Sequence, residues 1–158
     1  MFQISIIVTL ISMLIDQIIK IIVMGNMSVG ESIKVIKNFF SITYVENDGA
    51  AWSILSGNTF FLVIVSIVAI LLIYWYMLKN NNIKKFEIIC YSVLTGGIIG
   101  NLMDRIKFGS VIDYLDFKIF GYNFPIFNFA DMCIVISIFS LLIYSIKEEK
   151  NARSKSNR

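Results

Sequence analysis

The sequence predicts an α-helical membrane protein: four transmembrane helices joined by two longer polar regions that hold short strands. Three observations carry that expectation. The 158 residues are 57% hydrophobic and only 16% charged, with a mean hydropathy of +0.76, whereas soluble domains carry about 25% charged residues. Four apolar runs, at about 2–24, 59–78, 86–103 and 130–146, are long enough to cross a bilayer, which takes about 20 helical residues. The polar region after the first run is rich in β-branched and aromatic residues, the composition of short strands. No linker-like stretch divides the chain, so 1–158 reads as a single integral-membrane domain.

Composition also removes whole classes of function. The formal charge is +3, but the basic residues are thinly spread beside apolar segments, not gathered into a nucleic-acid-binding stripe. Histidine is absent, which excludes Ser-His and Cys-His catalysis and every His-based metal site. Cys90 and Cys133 both fall in apolar stretches and read as small buried hydrophobes.

The first run, MFQISIIVTLISMLIDQIIKIIVM, differs from a cleavable leader in lacking a basic start and a small-residue cleavage site. Asp16 and Lys20 interrupt it at i,i+4, on one helix face. They are either a self-neutralised pair with Lys20 snorkelling to the interface, or an orienting pair that faces a polar site. Residues 25–58 follow, and IKVIKNFFSITYVEN within them suggests strands. Asn47-Asp48-Gly49 reads as a turn. AAWSIL after it suits a short interfacial helix with Trp52 at headgroup level. Asn47 is a turn residue or cap, or a donor into a site.

The second run ends in Tyr74-Trp75-Tyr76, an aromatic belt. In the third, Gly96 and Gly100 form a small-xxx-small pattern that admits a neighbouring helix. Region 104–129 contains a hairpin over Asp116–Pro125, with Gly121 near its turn. The last segment, 147–158, is polar and expected to be disordered. Lys and Arg number three in seven residues over 79–85 and five in twelve over 147–158, against two in 34 and three in 26 in the two longer polar regions. The positive-inside rule therefore puts both termini in the cytoplasm and both polar regions outside.

The stretch Gly96–Asp131 holds Asp104, Asp113, Asp116 and Asp131, four of the eleven acidic residues. Carboxylates at the edge of lipid are functional candidates by default. Asp104 lies at the outer end of the third run and Asp131 in the first turn of the fourth, where the helix dipole favours its anion. Gly97, Asn101 and Asp104 share a helix face. Two carboxylates brought together cannot both ionise cheaply, so one keeps a proton while the other is a base, an arrangement able to activate water and protonate a leaving amine. Arg105 selects which acids form such a pair. Spacing alone does not decide between Asp104 and Asp113. Two other readings compete: a transporter with intramembrane charges, and a Ser-Lys peptidase using Lys20 with Ser41 or Ser53.

The motifs GGxxGNLxDRxxxGxVxDY and FPxFNxAD, with DQxxK in the first run and VxNxGAA in the first outer region, resemble the lipoprotein signal peptidase (signal peptidase II) family, from Asp16 to about Met132. The resemblance implies four transmembrane helices with a small extracytoplasmic β-cradle and an interfacial helix. It implies a bacterial plasma-membrane aspartic endopeptidase that removes signal peptides from prolipoproteins, cutting before a diacylglyceryl-modified cysteine. By match, Asp113 and Asp131 are the catalytic pair. Asp16, Lys20, Asn47, Gly49, Ala50, Asn101, Asp104, Arg105, Asn128 and Ala130 are the supporting positions. Expected partners are prolipoproteins and membrane lipids, not nucleic acid; a monomer is expected, with no cofactor and no metal. Met132, Ile112 and Trp52 depart from the commoner family residues, and none touches the proposed pair.

Overall fold

The computed structural model describes residues 2–50 and 54–156. The chain runs α1 (Phe2–Asn26), β1 (Ser32–Ile36), β2 (Phe40–Asn47), α2 (Thr59–Lys79), α3 (Lys85–Phe108), β3 (Val111–Ile119), β4 (Tyr122–Asn123) and α4 (Phe129–Ser156). All four helices are long and apolar enough to cross a membrane. The anticipated interfacial helix at AAWSIL falls largely on Ala51, Trp52 and Ser53, outside the described residues; 54–57 form turns.

The third helix is the hub, against which α1, α2 and α4 all pack. Half of its membrane window is buried, against 6% for α2. In lipid there is no hydrophobic drive between helices, so contact is won by small residues and polar bonds. Accordingly α1 is inverted: its buried stripe is Ser5, Thr9, Ser12, Asp16, Lys20 and Val23, while most of its isoleucines are exposed. The Ser92 hydroxyl donates to Ser5 Oγ (2.8 Å), and Thr9 Oγ1 donates to the Ser92 carbonyl (3.1 Å). A Cβ on Gly96 would lie 2.6 Å from Ser12 Cβ, and one on Gly100 would lie 2.5 Å from Asp16 Oδ2. The glycines therefore admit α1, and at Gly100 they admit a carboxylate. Gly97 faces the other way, its absent Cβ 2.5 Å from the Ala130 carbonyl at the start of α4.

The four strands form one antiparallel sheet in the order β1-β2-β3-β4. It docks on the end of α1 through Val23, Tyr44, Ile112 and Tyr114, with Ile19, Met27 and Phe129 packed around them. The expected hairpin is present: Lys118 pairs with Asn123 and Ile119 with Tyr122. A register shift in β2 between Ile42 and Val45 lies next to the pairing of Val45 with Asp113. Such bulges re-aim side chains beside functional sites.

One expectation fails. The segment after residue 146 is helical to Ser156 rather than disordered. A helix already nucleated inside the membrane propagates at little cost into a polar tail. An i,i+4 pair, Glu149 with Arg153, supports the extension.

Candidate active site

Two carboxylates line one cleft, each carried by a different element. Asp113 lies two residues into β3, and Asp131 lies in the first turn of α4. The cleft has a volume of about 680 Å³, and its lining includes Asn47, Ala50, Asn101, Arg105, Leu62 and Val135. That size and mostly apolar lining, with a few convergent polar groups, is typical of a ligand site.

Each acid is held by amides. Asn128 Nδ2 donates to Asp113 Oδ1 (2.7 Å), and Asn47 Nδ2 donates to Asp113 Oδ2 (3.0 Å). Asn101 Nδ2 donates to Asp131 Oδ1 (2.7 Å). The backbone N–H of Asn128 donates to Asp131 Oδ2 (3.2 Å), while the Asp131 N–H donates to Asn128 Oδ1 (2.9 Å). This last reciprocal pair is a capping box, with Asn128 before the helix and Asp131 three residues on. The device that starts α4 thus also fixes the acid. One residue, Asn128, bonds both carboxylates.

Asp113 is buried, 2% exposed. Burial, then the nearby Asp131 charge, push its carboxyl up to about 7 despite the bonds from Asn47 and Asn128. A carboxyl in that range exchanges a proton near neutral pH, where general acid–base groups work best.

Asp16 and Asp104 are placed differently. Both are buried, and neither lines the cleft. Lys20, itself 1% exposed, donates to Asp16 (2.8 Å), Asp104 (2.7 Å) and Asn101 Oδ1 (2.9 Å). An ammonium has three N–H donors and no acceptor, and here all three are engaged. Of the two sequence readings for Lys20, the structure matches the one facing a polar site and not the snorkelling one. Of the two serines the Ser-Lys reading would pair with Lys20, Ser41 sits on β2 opposite Asp116 and is not among the bonded partners of Lys20, and Ser53 is outside the described residues. Because Lys20 can only donate, it fixes the Asn101 oxygen toward itself and the Asn101 amide toward Asp131.

Asp16 and Asp104 bind backbone as well. The Ala130 N–H donates to Asp16 Oδ1 (2.9 Å), and the Ile112 N–H donates to Asp104 Oδ2 (3.2 Å). Ala130 precedes Asp131, and Ile112 precedes Asp113. Arg105 Nη2 donates to the Gly49 carbonyl (2.8 Å), and the Gly49 N–H donates to Asn47 Oδ1 (3.0 Å). Gly49 and Arg105 thereby orient the amide that reaches Asp113. Arg105 Nε is buried without a hydrogen-bond partner.

The model of the signal peptidase (SPase) II family matches residues 8–147. This chain belongs to the signal peptidase II family. Relatives described as lipoprotein signal peptidase, from Staphylococcus aureus strains JH9 and Newman, are 40% identical over 152 residues, which is 96% of this chain and 93% of theirs. Two solved structures, both described as bacterial membrane enzymes, superpose with TM-scores of 0.87 and 0.82 at 37% identity. The first covers 93% of this chain and 90% of its own, and the second covers 90% and 92%.

In this member of the signal peptidase II family, all twelve sequence-selected residues fall around the cleft or in the buried network behind it. Two more belong with them. Gln17 Nε2 donates to Asp104 Oδ1 (2.9 Å) and to the Gly100 carbonyl (3.2 Å); it is the Gln of the DQxxK motif, beside Asp16. The Tyr114 hydroxyl accepts from the Phe129 N–H (3.1 Å), and the Tyr114 N–H donates to the Phe127 carbonyl (3.1 Å). Tyr114 is the Tyr that closes the GxVxDY motif, and its bonding to Phe127 and Phe129 depends on a pairing that the motif does not show.

Proposed function

We propose that this chain is a membrane aspartic endopeptidase that removes the signal peptide from diacylglyceryl-modified bacterial prolipoproteins, cleaving before the lipidated cysteine. Asp113 and Asp131 are the catalytic pair. One of them, unprotonated, takes a proton from a water as it attacks the scissile carbonyl; the other gives its proton to the departing amine. The pair titrates as a unit.

The observation that carries this reading is the partition of the acids. Among the described residues, Asp113 and Asp131 line the cleft and receive only neutral amide donors, whereas Asp16 and Asp104 share the ammonium of Lys20 behind it. Neutral donors hold a carboxylate in place without cancelling its charge, so the front pair keeps its basicity. The supporting roles follow: Asn47, Asn101 and Asn128 orient the pair; Asp16, Lys20, Asp104 and Ala130 fix its backbone; Gly49, Ala50 and Arg105 shape the mouth of the cleft. The substrate class comes from the family and from relatives described as lipoprotein signal peptidase. A substrate anchored by its own lipid brings its scissile bond to the bilayer edge, where β3 and the start of α4 hold the acids. With both termini cytoplasmic, as the Lys and Arg distribution requires, the cleft faces the extracytoplasmic side. The chain works as one domain and as a monomer.

The test is cleavage of a diacylglyceryl-modified prolipoprotein by the purified protein. Asp113→Asn and Asp131→Asn each abolish turnover while the protein stays folded in detergent. Near-normal turnover by either variant would overturn the assignment of the pair, and an inactive parent protein would overturn the activity itself.

A further inference from the structure

Phe120 occupies an unusual place. It is the first of two residues, Phe120 and Gly121, that turn β3 into β4, and both have positive φ (49° and 83°). Two-residue hairpin turns with positive φ at both positions favour Asn, Asp or Gly, and a bulky residue there is strained. The Phe120 side chain is also fully exposed, 106%. Its neighbours Ile119, Tyr122 and Phe124 are exposed at 41%, 62% and 39%. A hairpin tip that carries strain to present an aromatic ring to water has no stabilising purpose within the fold, and such outliers persist where function requires them.

The position of the hairpin supplies the purpose. The returning segment Phe124-Pro125-Ile126 lines the same cleft as Met132, Val135 and Ile136 of α4 and Leu62 and Val65 of α2. Those helical residues lie inside the membrane-crossing windows, and Val135 and Ile136 are exposed on the lipid-facing surface. The segment returning from the hairpin therefore forms one wall of the cleft, and the first turns of α2 and α4 form others. The apolar tip residue Phe120 lies four residues before Phe124 in the chain. Lys118, exposed on β3 beside this patch, adds an ammonium next to the apolar tip.

We propose that the β3–β4 hairpin tip, Ile119–Tyr122, is a lipid anchor that seats in the headgroup–acyl boundary of the leaflet on the sheet side, beside the opening of the cleft. Aromatic rings are favoured at that depth. Seating the tip there gives the sheet, and Asp113 within it, a fixed height relative to the bilayer. The inference does not depend on the proposed reaction.

The test is a depth measurement on the full chain in phospholipid vesicles. A nitroxide is placed by Phe120→Cys, with Cys90 and Cys133 buried and the parent protein as labelling control. Its collision rates with oxygen and with a nickel chelate are compared with those of a label at the exposed Asn82. The expected result is an oxygen-to-nickel ratio several-fold higher at 120 than at 82. A Phe120→Trp variant gives a second reading: brominated lipid quenches its added fluorescence over the background of Trp52 and Trp75. Equal ratios at 120 and 82, with no added quenching, would overturn the anchor. So would shielding of position 120 that arises only on adding a diacylglyceryl prolipopeptide, which would make the tip a substrate contact.

Discussion

Replacing Asp113 with Asn separates the proposed chemistry from the electrostatic cost of preparing it. In the folded protein the Asp113 carboxyl is pushed from its ordinary 3.8 up to about 7 by burial and by the charge of Asp131. A carboxyl raised on folding binds more protons folded than unfolded between those two values. Stability therefore falls as pH rises through that window, and is flat above it. At about 1.36 kcal/mol per pKa unit, the full shift corresponds to about 4 kcal/mol. Asn carries no such charge and no such slope. It does lose one of the two acceptors that Asn47 and Asn128 use, which costs about 1–3 kcal/mol. Asp113→Asn is thus expected to be less stable than the parent near pH 4.5 and equal or more stable at pH 8, with no turnover at either. Thermal unfolding of the two detergent-solubilised proteins, followed by intrinsic fluorescence across that range, reads the difference directly. With about 2–4 °C per kcal/mol for a chain of this size, the change in relative Tm amounts to roughly 5–15 °C. A difference between the two proteins that stays constant from pH 4.5 to 8 would refute the raised carboxyl, and with it the electrostatic argument for the pair.

Two further substitutions probe the frame behind the pair. Lys20→Met leaves Asp16 and Asp104 buried without their shared cation, so a loss of about 3–5 kcal/mol and of nearly all turnover is expected from thermal unfolding and cleavage assays; a Tm within a degree of the parent would contradict the reading. Gly97→Ala drives a Cβ to 3.1 Å from Cys133 Cβ and 2.5 Å from the Ala130 carbonyl, which is backbone and cannot step aside, so about 1–3 kcal/mol is lost along with activity. Gly25→Ala, with nothing within 4 Å, is the matched control and leaves both unchanged or slightly improved.

The helices were legible because membrane spanning imposes a simple requirement on length and composition; the first two runs needed only small extension, while the third reaches Phe108 and the fourth Ser156. The strands before Asn47 and the hairpin at Gly121 were legible from β-branched content and turn chemistry. What could not be read was pairing between distant segments. Nothing in the spacing says that Asp16 reaches the Ala130 N–H, 114 residues away, or that Asp104 takes the Ile112 N–H. For that reason periodicity left Asp104 and Asp113 as equal candidates, and the family resemblance separated them. The helical tail was misjudged because its polarity was weighed without the nucleated helix that precedes it.

The geometry gives a physical reason for that separation which the motifs alone do not. The two cleft acids come from different elements, so their spacing depends on how β3 and α4 sit relative to each other. Each is preceded by a residue whose N–H is held by a buried carboxylate, Ile112 by Asp104 and Ala130 by Asp16. Lys20 joins those two carboxylates, and its third bond turns Asn101 toward Asp131. A single ammonium thus ties the strand, the helix and an acid's hydrogen-bond donor to one point on α1. Three divergent acceptors suit the compact ammonium of Lys, with its rotatable donors, better than the planar fork of Arg. Asp16 and Asp104 therefore serve as structural ties that share one cation, while Asp113 and Asp131 are held at the cleft by amides. The small residues along α3 make this possible: without the gap at Gly100, Asp16 could not enter the bundle.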